Sequence, residues 1–192
     1  MIRITLGLIL AAVLSFPAAA SGFYVGASFG PGWDNESSLP FVNEDTGLHG
    51  AVQVGTAVDG LDGLRVELEG YFATHDSQVF GVIPLTHDTS AVMLNAVFDV
   101  NGLAMGKLVP YVMAGAGVAH TELTVGGLSV LTVEASGFAY QLGGGLQYQI
   151  AENLYLGVGY RHLEAPEVKL FGFELDGGSN DVVEARLRLA FN

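Results

Sequence analysis

The feature that most constrains this chain is a two-residue alternation of apolar and polar side chains, which recurs from residue 22 to the end. In LRVELEGYF (64–72), leucine, valine and phenylalanine alternate with arginine, glutamate and tyrosine. Such a period places successive side chains on opposite faces of a β-strand. The pattern predicts strands at 22–30, 47–58, 64–74, 89–100, 108–119, 137–149, 154–164 and 181–191.

The connections between these segments alternate between short and long. The short ones, 59–63, 101–107 and 150–153, are rich in the Asp, Asn and Gly that tight turns favour. The long ones are 31–46, 75–88, 120–136 and 165–180. Transmembrane barrels show this asymmetry, with short periplasmic turns and long outer loops. Within the third long segment, residues 123–133 alternate around two glycines, which predicts a hairpin that extends beyond the membrane.

The polar face of the predicted strands is rich in glycine, which indicates the direction in which that face points. A soluble barrel of the lipocalin type has the same period with the polar face outside, and its exterior does not require small residues. The narrow interior of a barrel of about eight strands does require them. Charged residues are also scarce, at 14%, against about a quarter in soluble domains. The glycines on this face are Gly115, Gly117, Gly143, Gly145, Gly157 and Gly159.

The aromatic residues of the apolar face fall at the two ends of the predicted strands. Two aromatic girdles around an apolar band are typical of a barrel in a bilayer. The lower girdle is predicted to contain Phe23, Phe98, Tyr148 and Phe191. The upper girdle is predicted to contain Phe29, Phe72, Phe138, Tyr140 and Tyr160.

Residues 1–20 have the organisation of a secretory signal peptide. Arg3 is followed by an apolar run at 4–16, by Pro17 and by three alanines at 18–20. The run is shorter than the roughly 20 residues of a membrane-spanning helix, which disfavours an N-terminal anchor. The predicted organisation is therefore a signal peptide at 1–20 and one domain at 21–192, which enters a membrane as strands.

Several stretches resemble the outer-membrane β-barrel superfamily, which includes the opacity-type porins and the barrel of outer-membrane protein A. They are LRVELEGYF (64–72), VPYVMAGAGVA (109–119) and FAYQLGGGLQYQIAENLYLGVGYRHL (138–163). The resemblance implies an all-β fold: an eight-stranded antiparallel up-and-down transmembrane barrel in the outer membrane of a Gram-negative bacterium. It also implies contact with outer-membrane lipid and lipopolysaccharide. Phe191 would be the terminal aromatic that the barrel-assembly machinery recognises, although Asn192 follows it here.

The inward positions of the predicted barrel carry equal numbers of positive and negative charges. Unpaired charges in such a confined space are costly, so this balance predicts a paired network. Gln53, Asn95, Gln141 and Gln147 are expected to be its hydrogen-bonding neighbours. The network is interpreted either as a polar plug or as a narrow gated pore whose pairs exchange partners. Its predicted members are Arg65, Glu67, Glu69, Asp99, Arg161, Glu184, Arg186 and Arg188.

No catalytic, cofactor or metal motif is found in the sequence. The five histidines, His49, His75, His87, His120 and His162, lack metal-ligand spacing and are interpreted as solvated loop residues. A lipid-modifying hydrolase would need a serine beside a histidine, and no serine lies near His162 along its strand. The chain is therefore expected not to be an enzyme and to bind no cofactor. Seven basic against twenty acidic residues make a nucleic-acid partner improbable.

The long connections form the most distinctive part of the sequence. With Glu164 and Asp181 at their edges they hold thirteen acidic residues, and Lys169 is their single Lys or Arg. Apolar runs at 78–85, 123–133 and 168–175 accompany these charges. Such runs bind surface partners or pack together over the barrel mouth, and the sequence does not separate these alternatives. The predicted function is structural or surface-interacting; the alternatives are a narrow pore and, less favoured, an enzyme acting on outer-leaflet lipid.

Overall fold

A computed structural model of the chain describes residues 22–34, 42–44, 47–79, 83–126, 131–166, 168–170, 173–175 and 179–191. The predicted signal peptide at 1–20 lies outside these residues. Within them, no helix has the length and apolar character needed to cross a membrane.

Eight long strands account for most of the described residues, and each coincides with a predicted strand. Their apolar and polar alternation suits the pleat of a sheet that has one apolar face. They are β1 (Phe23–Asp34), β3 (Gly47–Ala57), β4 (Leu64–Val79), β5 (Ile83–Asp99), β6 (Leu108–Val125), β7 (Leu131–Ala151), β8 (Leu154–Glu164) and β11 (Ser179–Phe191). The short elements are β2 (Val42–Glu44), β9 (Val168–Leu170), β10 (Phe173–Leu175) and a 3₁₀ turn at Asn101–Leu103.

The eight long strands form one closed antiparallel ring. Each pairs with the next along the chain, and β1 closes the ring by pairing with β11, with Phe23 opposite Phe191. Closure gives the ring strands partners on both sides, which satisfies their backbone hydrogen bonds. The predicted eight-stranded up-and-down barrel is therefore confirmed.

The strands extend further at the long-loop end than the sequence pattern suggested. The predicted pairing of the two arms of the 123–133 hairpin is confirmed, since Leu123 pairs with Val133 and Val125 with Leu131. The assignment of 75–88 as a loop is wrong, because β4 and β5 continue their pairing to Val79 and Ile83. Strand β1 likewise continues to Asp34 rather than ending at residue 30. Five barrel strands, β1, β4, β5, β6 and β7, therefore rise beyond the level of the upper aromatic residues.

The two faces of the barrel differ sharply in solvent exposure. Outward apolar side chains are exposed to an extent unusual in a protein surrounded by water, for example 60% for Leu94 and 70% for Phe138. Inward positions are buried, and Arg161, Tyr71 and Met93 are completely inaccessible. The interior of the barrel thus contains the polar residues, while the apolar side chains form its outer wall.

Candidate functional site

The candidate site is the barrel interior, and Arg161 lies at its centre. The Arg161 Nη1 atom donates to Glu69 Oε1 at 2.6 Å, and Nη2 donates to Glu69 Oε2 at 3.1 Å. Nη2 also lies 2.9 Å from Glu184 Oε2. Gln141 accepts from Nη1 at 3.0 Å and donates its own amide to Glu69 Oε1 at 2.8 Å. One guanidinium therefore joins carboxylates from opposite parts of the ring.

A second group of ion pairs lies nearer the short-turn end of the barrel. Glu67 binds two arginines, with 3.0 Å between its Oε1 and Arg65 Nη1 and 3.0 Å between its Oε2 and Arg186 Nη2. Arg65 also holds Asp99 through two parallel hydrogen bonds of 3.0 and 2.7 Å. The two-pronged geometry is the strong form of an Arg–carboxylate pair. Glu67 thereby links three strands, β4, β11 and, through Tyr24, β1.

Arg188 differs from the other interior arginines. Among the described residues it has no carboxylate within ion-pair distance, and its hydrogen bond goes to the amide oxygen of Gln147 at 3.1 Å. Its guanidinium lies over the ring of Tyr155, 3.9 Å from the centroid, and 5.4 Å from that of Tyr24. Gln147 in turn donates to Asp99 Oδ1 at 2.7 Å, so the structure brings all eight predicted charged residues into one connected interior.

Inward tyrosines, which the sequence analysis did not include among the site residues, support this network. The Tyr24 hydroxyl donates to Glu67 and accepts from Arg65, at 2.9 and 3.1 Å. Tyr111 crosses the interior beneath Arg186, whose guanidinium lies 5.3 Å from the ring centroid. The predicted glycines provide its space, because a Cβ at Gly159 would lie 2.3 Å from the Tyr111 hydroxyl oxygen.

An apolar layer begins beside the charged network, where Met93 is directly opposite Glu69 in the sheet, and continues towards the long-loop end. It combines Met93, Leu163 and Tyr71, none of which is accessible to solvent, with inward alanines. The predicted interior was polar along its length, and this layer was not anticipated. The sequence does contain a sign of this layer, because inward positions in the upper parts of several strands are occupied by alanine. These alanines are Ala51, Ala73, Ala91, Ala119, Ala139 and Ala165.

A cavity of about 650 Å³ opens at the short-turn end of the barrel. Arg188, Arg65 and Asp99 line it on the barrel side, and the turn residues 58–63 and Lys107 line its rim. A second cavity of about 20 Å³ lies between Arg188 and Arg186, which is room for one water molecule.

The interpretation of the five histidines as solvated loop residues is wrong, since all five lie within strands and two of them are buried. His49 and His75 are each only 4% exposed. His49 Nε2 lies 3.1 Å from Glu184 Oε2, and its ring lies 4.7 Å from that of Tyr71. Both residues occupy inward positions of their strands, which the alternation would have indicated had it been continued to the strand ends.

The outer wall near the long-loop end carries a polar row across β5, β6 and β7. Ser90, His120 and Ser136 are directly opposite one another in the sheet. His120 Nδ1 lies 2.8 Å from Ser136 Oγ, so a serine–histidine pair exists that the sequence spacing did not indicate. The ligand atoms of His120, Glu122 and Glu134 lie within 4.8 Å of one another. Exposed acidic groups commonly lie this close without an ion, so this spacing alone assigns no metal.

The predicted girdle residues occupy outward positions of the barrel wall. Phe23 and Phe191 stack across the closing pair of strands, with 6.0 Å between their ring centroids. The other girdle residues are half-buried or exposed, and the exposed ones are Phe29, Phe98, Phe138, Tyr140, Tyr148 and Tyr160.

The sequence matches the family described as outer membrane protein beta-barrel domain over residues 4–191. No curated protein matches it.

Several solved outer-membrane proteins share the fold at low sequence identity. Neisserial surface protein A is 16% identical, with a TM-score of 0.62, and covers 89% of this chain and 98% of its own. A major outer membrane protein from Thermus thermophilus is 16% identical, with a TM-score of 0.60, and covers 90% and 100%. The attachment invasion locus protein Ail of Yersinia pestis, in complex with the heparin analogue sucrose octasulfate, is 14% identical, with a TM-score of 0.51 and coverage of 88% and 100%. At these identities the likeness concerns the fold alone.

Proposed function

The chain belongs to the family of outer membrane protein β-barrel domains, and from this membership we propose that it is a structural barrel with a closed, polar plug. Its strands cross the outer membrane, its short turns face the periplasm, and its long acidic segments face outwards. In this proposal the barrel conducts nothing and performs no chemistry; its role lies in the membrane itself and at the outer surface.

The observation that carries the proposal is the completely inaccessible ion pair between Arg161 and Glu69. Both side chains have zero exposure, and Glu184 on the other side of the guanidinium is 1% exposed. Hydrated pores keep their charged groups in contact with water, because desolvating an ion costs several kcal/mol unless its partners compensate. The completeness of the pairing supports a plug rather than a channel lining.

The apolar side chains beside and beyond the Arg161–Glu69 pair support the same conclusion. Met93 and Leu163 offer no polar atom to a passing ion, and Tyr71 is fully covered. An apolar constriction of this kind excludes ions by remaining dry. A solute would therefore meet inaccessible apolar side chains as well as the ion pairs.

Ion conductance of the refolded protein in a planar lipid bilayer tests the proposal. We expect no discrete current steps from barrels whose folding is verified by their β-sheet circular dichroism. A variant with Arg161 and Glu69 both replaced by glycine, which removes both large side chains of the central pair, serves as the positive control for opening. Stable unit currents from the unmodified barrel would refute the closed interior.

The alternative function is a narrow pore gated by exchange of the interior pairs, and Arg186 is the observation that favours it. Its guanidinium lies 3.0 Å from Glu67 Oε2 and 3.9 Å from Glu184 Oε1, so a small side-chain movement would exchange its partner. This alternative requires unit currents that change when Arg186 or Arg188 is replaced by glutamine. Unchanged or absent currents in folded variants would eliminate it.

The outer surface is proposed to contact partners through its long segments. Ail was solved with a heparin analogue, which is polyanionic, whereas thirteen acidic residues lie in or beside the long segments of this chain. The acidic residues of these segments repel a polyanion. We therefore propose that any surface partner here is basic, or is an anionic molecule such as lipopolysaccharide that is bridged to the segments by cations. Deletion of 123–133 and 168–175 should leave a folded barrel without surface binding. Binding that survives both deletions would count against these segments.

The proposal that the barrel is not an enzyme has one specific challenge, the pair of Ser136 and His120. A nucleophilic serine needs a histidine held in place by a third group, and no described ion pair joins His120 to a carboxylate. Labelling with a fluorophosphonate tests this, with Ser90→Ala as the matched control in the same polar row. Labelling lost in Ser136→Ala and kept in Ser90→Ala would show a reactive serine and contradict the proposal.

A further inference from the structure

The periplasmic mouth of the barrel is a cavity of about 650 Å³ that ends at Arg188. We propose that this cavity is a binding site for a small organic molecule carrying an oxyanion, a carboxylate or phosphate, which Arg188 receives. The proposal concerns the mouth rather than the sealed interior, so it does not depend on whether the barrel conducts.

The charge of Arg188 is the first reason. Arg65, Arg161 and Arg186 each have a carboxylate oxygen at 3.0 Å or closer. Arg188 has none within ion-pair distance among the described residues, and its hydrogen bond goes to a neutral amide. A guanidinium offers five donors, and here one bond to Gln147 uses a single one of them. A bound oxyanion would supply both the missing charge and the missing acceptors.

The position of the guanidinium is the second reason. Arg188 rests on Tyr155, 3.9 Å from the ring centroid. Stacking on an aromatic ring fixes the plane of the guanidinium, so less conformational freedom is lost when an oxyanion binds. An arginine held in this way presents a planar pair of donors that matches a carboxylate or a phosphate.

The acidic groups around the cavity are engaged elsewhere or lie at its rim. Asp99 accepts from Arg65 at 2.7 Å and from Gln147 at 2.7 Å. Asp62 accepts from Asn101 at 3.1 Å, on the exposed side of the turns. Asp59 is exposed at the rim, where solvent screens its repulsion.

The dimensions of the cavity set the class of ligand. A volume of about 650 Å³ lies within the range of small-molecule sites and far exceeds that of a lone phosphate ion. Behind Arg188 the space falls to about 20 Å³. The ligand would therefore enter from the periplasm, place its oxyanion at Arg188 and leave its remaining atoms among the turn residues, beside apolar Val58 and Leu61.

Titration calorimetry of the refolded barrel in an uncharged detergent tests the proposal. The probes are inorganic phosphate for the oxyanion alone, phenyl phosphate for an oxyanion with an apolar body, and phenol as the neutral control. We expect saturable binding of phenyl phosphate, weaker binding of phosphate and none of phenol. Arg188→Gln should weaken phenyl phosphate at least about tenfold, since a charge-assisted contact is lost.

Lys107→Gln is the matched control, because it removes one positive charge from the rim of the same cavity. It should change the affinity less than about threefold, since an exposed charge acts through screened solvent. Circular dichroism establishes that both variants fold. Absence of saturable binding to the unmodified barrel would overturn the proposal. So would equal weakening by both variants, which would mean attraction to the general charge of the mouth rather than binding at Arg188.

Discussion

Replacement of Arg161 by methionine is the perturbation that most directly measures whether the barrel interior is dry. Methionine keeps much of the side-chain length and removes the charge. Glu69 would then lose hydrogen bonds of 2.6 and 3.1 Å, and Glu184 would lose its contact at 2.9 Å. Neither carboxylate is accessible to water, so neither regains solvation from outside.

The magnitude follows from what the two carboxylates retain. Breaking a buried pair by removal of one partner costs about 3–5 kcal/mol. Glu69 keeps the amides of Gln53 at 3.0 Å and Gln141 at 2.8 Å, and Glu184 keeps His49 at 3.1 Å. The nearest arginine left to Glu184 is Arg186 at 3.9 Å, and Glu69 has no other arginine within ion-pair distance among the described residues. We therefore expect the free energy of unfolding to fall by about 3–5 kcal/mol, towards the upper end of that range.

Guanidinium unfolding in lipid vesicles, followed by the fluorescence of the single tryptophan, Trp33, measures this loss. Arg188→Met is the matched control: it removes a guanidinium that has one amide contact and aromatic stacking, for an expected loss of about 1–2 kcal/mol. Adding Glu69→Gln to Arg161→Met should recover at least about 1 kcal/mol, because one stranded charge disappears. A loss below about 1 kcal/mol for Arg161→Met, the value typical of solvated pairs, would refute the reasoning and indicate a hydrated interior.

Two further predictions use the same unfolding measurement. Gly159→Ala places a Cβ 2.3 Å from the Tyr111 hydroxyl oxygen and should cost about 1–3 kcal/mol. Adding Tyr111→Phe to Gly159→Ala removes the hydroxyl and should relieve part of that cost. If the double variant shows the same cost, the clash lies elsewhere. Leu94→Arg, at an outward side chain that is 60% exposed, should cost about 2–4 kcal/mol if that position faces the middle of the bilayer. Leu61, 55% exposed, lies on a short turn, and Leu61→Arg should leave the free energy of unfolding almost unchanged. Equal losses of stability at Leu94 and Leu61 would contradict the assignment of the outward face of the strands to lipid.

The strands were predictable from sequence because alternation is a local property. Each of the eight was located correctly from its own residues, and the errors occurred at the upper ends. Residues 75–79 and 83–88 fall within a segment that was assigned to a long connection. Pairing between β4 and β5 nevertheless continues there, since neighbouring strands that are already in register extend their ladder at little cost.

The membership of the interior was predictable in the same way, but its contacts were not. Alternation assigns Arg161 and Glu69 to the inside, yet these residues lie 92 positions apart, on strands that are not neighbours. Which of four arginines meets which of four carboxylates depends on the stagger of all eight strands around the ring. His49 lies within the predicted strand 47–58 and shares the buried inward face with Gln53, so the alternation itself indicated its burial.

The vertical order of the interior bears on the choice between a plug and a pore. From the short-turn end, the interior presents Arg188, then the pairs around Glu67, then the Arg161–Glu69 pair with Met93 beside it, and then further apolar side chains such as Leu163. Exchange of pairs by Arg186 could lower the barrier at the pairs around Glu67, because its alternative carboxylate lies only 3.9 Å away. It would not affect the apolar side chains, which have no charge to exchange and which disfavour the passage of an ion. A gating mechanism based on ion pairs alone therefore leaves these side chains in place, which favours the plug.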